Sequence, residues 1–147
     1  MNRLLWLTIG IGVAAAGCAG QSDQPPFRLI GTMHEIMEGA VAPQSEIIWD
    51  SVSTIVDADG IHEHFPQNDV EWEIVEHAAI ALAESTNLLI VEGRVRDGGW
   101  VNHLDDLVTA SLAARDAALA QDKEAIFETG EQIYNACTAC HLEYVPQ

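Results

Sequence analysis

The chain ends in "NACTACHLEYVPQ", where two thiols, Cys137 and Cys140, are followed at once by the imidazole of His141. C-x-x-C-H is the spacing of covalent c-type haem attachment. The thiols add to the vinyl groups of the macrocycle, and the adjacent histidine reaches the iron. Bare C-x-x-C also serves zinc and thiol redox chemistry, so the rest of the chain must separate these uses. Zinc takes about four ligands, usually two such pairs or one pair with two spaced histidines. Here there is one pair, and the only clustered histidines, His62 and His64, stand about seventy residues away. A thiol oxidoreductase carries its motif near the start of a helix that follows a strand. This motif lies near the end of a helical pattern with no strand signal before it. The expected cofactor is therefore one covalent haem c, with Cys137 and Cys140 as attachment points and His141 as the proximal iron ligand.

Only six residues follow His141 and none is methionine, so a sixth ligand must come from earlier in the chain. Beyond the N-terminal leader the chain has two methionines, Met33 and Met37, four apart and so on one helix face. A thioether is a soft iron ligand, and Met/His ligation raises the haem potential toward an electron-transfer range. Methionine is also a common core filler, which is the ordinary alternative. His34 and His77 are rival ligands, although both have charged neighbours.

Helices must position these groups. Ile30, Met33, Met37 and Ala40 recur at helical steps, Pro43 breaks or kinks that helix, and the period resumes through Ile48, Val52 and Ile55. "DADGIHEHFPQND" reads as loop. Asn68, three residues before Glu71, is close to a capping box for a second helix. That helix carries Trp72, Val75, Ala79, Leu82 and Leu89, with Gly93 as its stop. A third helix begins near Trp100 and carries Leu104, Leu107 or Val108, Ser111 or Leu112, and Leu119. Asp122 caps a fourth, on which Ile126, Gly130, Ile133, Cys137, Cys140 and Tyr144 alternate at steps of four and three. Trp49, Trp72 and Trp100 read as core. The expected fold is all-α, an antiparallel four-helix bundle with haem on the last helix.

The first twenty residues, "MNRLLWLTIGIGVAAAGCAG", have one early charge, an apolar run and then small residues. That is the build of a secretory signal, too short and wrongly flanked for a spanning helix. "AAGC" resembles a bacterial lipobox, which makes Cys18 a lipidation site. The expected division is a signal peptide at 1–17, a polar, proline-bearing tether at 18–26 and a cytochrome domain at 27–147. The three cysteines are then all assigned. Export fits haem attachment outside the bacterial cytoplasm, with a periplasmic location, tied to the membrane by the lipid. Because Ala19 follows Cys18, the membrane would be the outer one in a Gram-negative cell. With 23 acidic and 6 basic residues the formal charge is −17, which repels nucleic acid and suits a basic partner.

"CTACHLEYV" resembles the C-terminal signature of the class II cytochromes c, cytochrome c′ and its low-spin relatives, through Cys137, Cys140, His141 and Tyr144. It departs at Val145, where that family carries Arg or Lys. "PQSEIIWDSV" and "LAESTNLL" are similar to stretches of a less characterised bacterial branch. The resemblance implies a four-helix bundle over most of residues 27–145, with haem on the last helix and against the first. It favours Met37 over Met33 as the distal ligand. Of the cations left beyond the leader, Arg28, Arg94, Arg96, Arg115 and Lys123, Arg28 is the expected propionate partner because it begins the distal helix. The resemblance also implies helix-packed homodimers as a common state. The function to expect is single-electron transfer between redox proteins. The alternative is a five-coordinate iron that binds nitric oxide or carbon monoxide. No paired catalytic residues can be read from the chain, so an enzyme is not expected.

Overall fold

The computed structural model describes residues 27–145; the expected leader, the tether and Cys18 lie outside the described residues. The chain is mostly helical, with one small two-stranded sheet. The first helical segment is built in three pieces: α1 (Met33–Ile36), a π-helical turn (Met37–Val41) and α2 (Ala42–Asp50). Thr32 starts it with a full capping box, its hydroxyl accepting from the Glu35 N–H at 3.2 Å while Glu35 accepts the Thr32 N–H at 2.8 Å. Ile30 therefore precedes the helix and is exposed, against the expectation that it opens the apolar stripe.

Pro43 has no N–H to give the Gly39 carbonyl, and its ring would crowd that carbonyl in a regular helix. The chain answers with the wider turn just before it, in which the Ala42 N–H reaches the Met37 carbonyl. The expected kink is thus a π turn. α2 then stops at Asp50, short of the expected run through Ile55. Ser51 bonds the Ile48 carbonyl through its hydroxyl at 2.6 Å, and the β-branched residues beyond it leave the helix.

Those residues form β1 (Ser53–Asp57), which pairs antiparallel with β2 (Gly60–His64), so that Ile55 faces His62 and Val56 faces Ile61. The segment expected to be loop is a hairpin from its start to His64. The Asp57 carboxylate accepts the N–H groups of Asp59 and Gly60 at 2.9 and 3.2 Å and so organises the two-residue turn. All ten strand residues are exposed, and the hairpin is tied down by Lys123, which bonds Glu63 at 2.7 Å and lies over the Phe65 ring.

α3 (Asp69–Ser85) is capped by Asn68, which accepts from the Glu71 N–H at 3.1 Å. The Glu71 carboxylate reaches back one residue further, to the Gln67 N–H. α3 ends at Ser85, before the expected Gly93, and a 3₁₀ turn follows (Thr86–Leu88). The Ser85 and Thr86 hydroxyls each bond a carbonyl three residues back at 2.7 Å, which offers the backbone an exit from the helix. α4 (Trp100–Ala120) and α5 (Lys123–Tyr144) are joined by a left-handed residue, Gln121 at φ +54°, and by Asp122, whose carboxylate caps α5 at the Ala125 N–H.

α2 packs on α3 and α5, and α4 packs on α3 and α5, closing a ring around one core. Ile48, Val75, Leu82, Leu89, Ile126 and Ile133 are its fully enclosed large side chains. On α4 the buried stripe runs through Leu104, Leu107 and Ser111 as expected, and then through Ala114, Ala117 and Ala118. Leu119 lies outside it, 58% exposed. Among the described residues no helix is long and apolar enough to cross a membrane. Leu82→Ala should lower stability by about 2–5 kcal/mol in urea denaturation, whereas Leu119→Ala should cost roughly 0.5 kcal/mol or less.

Candidate functional site

α5 buries Ile126, Thr129, Gly130, Ile133, Ala136 and Cys140. That choice of face sets Cys137, one turn before Cys140, half-buried at the margin, and leaves His141 exposed. Between α5, α4 and the π turn lies a cleft of about 280 Å³ that both cysteines and His141 line. Met37, Val41, Leu104 and Leu107 are among its other walls. The distal and proximal candidates of the sequence thus border one apolar space.

Met33 packs against the core but does not line the cleft, so only the second methionine of the pair reaches it. His34 is exposed and outside the cleft lining. His77 is outside it too, exposed beside Glu73 and Glu76. Arg28 is not brought to the site. It lies exposed in the extended chain ahead of the Thr32 cap, so it does not begin the distal helix as expected. Arg94, by contrast, is committed to the fold, donating to the Leu88 and Gly31 carbonyls at 2.8 Å each.

Burial pushes both thiols up, that of Cys137 helped by Cys140 and that of Cys140 by the Glu143 charge. Reactive redox thiols need the opposite, a lowered pKa in an electropositive setting. Among the described residues no three His, Cys, Asp or Glu side chains are grouped so as to hold a metal ion. An iron carried in a macrocycle makes no such demand, since it asks the protein for only one or two axial ligands.

Two parts of the site were not anticipated. Trp49, expected in the core, is a wall of the cleft. Its indole N–H donates to the Gly130 carbonyl at 2.9 Å, and its ring meets Tyr134 edge-on at 6.5 Å. A Cβ on residue 130 would stand 3.2 Å from the Trp49 ring, so glycine there is what lets the indole lie against α5. The second is His103, which lines the cleft from α4, one turn after buried Trp100. The i, i+3 step from Trp100 to His103 was the available signal.

His103 Nε2 lies 2.9 Å from Glu143 and donates to it, since an ionised carboxylate can only accept. That bond, with a smaller one from the Gly99 N–H, pulls the Glu143 carboxyl down to about 2. The Tyr144 hydroxyl has one proton and gives it to the Asp97 carbonyl at 2.6 Å, while its ring stands edge-on to Trp100 at 5.0 Å. The end of α5 is thereby fastened to the start of α4. At Gly98 φ is +79°, and a Cβ would come within 2.5 Å of Glu143 Oε1, so the turn that admits this carboxylate needs glycine.

No family model matches this chain, and no curated protein or solved structure matches it.

Because the folded-state pKa of Glu143 is depressed, its stabilisation is fully present above the unfolded value of 4.5 and is lost as pH falls toward about 2. Glu143→Gln should therefore be less stable than the parent at neutral pH, and the gap should close between pH 4.5 and about 2. Thermal midpoints of both proteins across that range check this; a gap as wide at pH 2 as at neutral pH would rule it out.

Proposed function

We propose that this protein is an exported, lipid-anchored monohaem c-type cytochrome of the class II four-helix-bundle type, passing single electrons between proteins at a membrane surface. The observation that carries the reading is that the C-x-x-C-H motif opens into an apolar cleft whose other wall includes Met37. The donor set suits a haem: two thiols on one helix face, an imidazole beside them and a thioether across the gap. When bound, the haem supplies a one-electron redox centre.

The residues of this chain would do the remaining work. Cys137 and Cys140 would fix the group to α5, and His141 would hold the iron from the same helix. Met37 would take the distal position from the π turn, favouring the higher potentials of His/Met iron. Val41, Leu104 and Leu107 would keep water from the space, which lowers the local dielectric. Cys18, processed and lipidated, would supply the anchor. No catalytic turnover is part of this reading.

Two measurements test it. Protein made in a host that matures c-type cytochromes should give a haem-stained band on a denaturing gel, and Cys137→Ala/Cys140→Ala should abolish it; a surviving band would refute covalent attachment here. The reduced visible spectrum should show sharp split bands unmoved by carbon monoxide, and Met37→Ala should turn it high-spin and gas-responsive while Met33→Ala does not. A parent protein already high-spin and gas-responsive would make Met37 packing only and replace electron transfer with gas binding.

A further inference from the structure

A second groove runs beside the cleft. Its lining includes Ile48, Trp49, Val52, Phe127, Glu131 and Tyr134, and it shares Trp49 and Tyr134 with the cleft. Phe127 and Tyr134 are 62% and 58% exposed, unusual for aromatic side chains that the core could have taken. They stand seven apart on α5, with Glu131 between them, on one stripe of the helix. Continuing that stripe by four and then three gives Thr138 and His141, so the exposed aromatics lead along α5 to the proposed iron ligand. Apolar patches of this kind, with a polar rim, are the usual anatomy of a protein contact.

The charge around the groove says what kind of protein. Glu124, Glu128 and Glu131 are exposed along the same side of α5. The one lysine at this end, Lys123, is spent on Glu63 and Glu124 at 2.7 and 3.7 Å. A second copy of a chain with formal charge −17 would bring carboxylates against carboxylates.

We propose that the α2–α5 groove is the docking surface for a redox partner protein that presents an apolar patch ringed by Lys and Arg. Trp49 and Tyr134 are walls common to the docking surface and the cleft, so a partner seated on Phe127 and Tyr134 lies one side chain away from the haem site. This rests on the cytochrome reading and adds to it the partner class and the place of contact.

The test uses the haem-loaded protein and, as probe, a small lysine-rich c-type cytochrome, titrated calorimetrically at low salt. Two variants remove the same charge from different places. E124Q/E128Q/E131Q should weaken binding by about tenfold or more, whereas D105N/D106N/D116N, exposed on α4 away from the groove, should change it by about twofold or less. Phe127→Ser should weaken binding with its circular dichroism unchanged. Equal weakening by both triple variants would reduce the effect to net charge and overturn the proposal. So would no binding at low salt, or a parent dimer that Phe127→Ser dissociates, which would make the groove a contact between copies. A haem stain of the same sample keeps the two readings apart: its absence sinks the cytochrome, while the paired variants report on docking alone.

Discussion

The rotation of α5 about its own axis governs the site. Ile126, Ile133, Ala136 and Cys140 must face inward together, because they fall at the helical steps that bury one stripe. Once they do, every other position on α5 is assigned. Cys137 falls at the margin of the core, His141 beyond it, and Phe127, Glu131 and Tyr134 on the flank toward α2. Packing energy and chemical placement are the same fact seen from two sides.

The opposite wall is set by a missing proton. Pro43 cannot donate, the helix widens ahead of it, and Met37 at the start of the widened turn borders the cleft while Met33, four residues earlier, does not. The two methionines are joined by a regular helical turn, the Met37 N–H reaching the Met33 carbonyl, so they share a face and only the one nearer the widened turn reaches the cleft. Trp49, further along the same segment, closes the flank by resting on Gly130. Three residues of no shared chemistry, a proline, a tryptophan and a glycine, shape the space that the C-x-x-C-H motif opens into.

Long amphipathic stretches were legible in the residues: the caps at Asn68 and Asp122, the start of α4 at Trp100 and the inward stripe of α5 all follow from period and cap chemistry. The hairpin was not, because Ile55, Val56 and Ile61 bury nothing and so show no inside-to-outside alternation. Only their β-branching and the Asp-x-Asp-Gly turn marked it. The end of α3 was misplaced because Leu89 keeps the helical period while Ser85 and Thr86 have already drawn the backbone away. Within the site, Cys137, Cys140, His141 and Met37 could be named from their types. Trp49, His103 and Glu143 could not be assigned there, since their places depend on which helices meet. Arg28 does not begin the first helix, because the Thr32 cap starts it after that residue.

The last turn of a helix ordinarily frays, since its final carbonyls have no partners within the helix. His141 stands in that turn. Here Glu143 grips His103 and the Gly99 N–H, and Tyr144 reaches the Asp97 carbonyl, all from the opening of α4. These bonds couple the terminus of α5 to the entry of α4, so that fraying of one loosens the other.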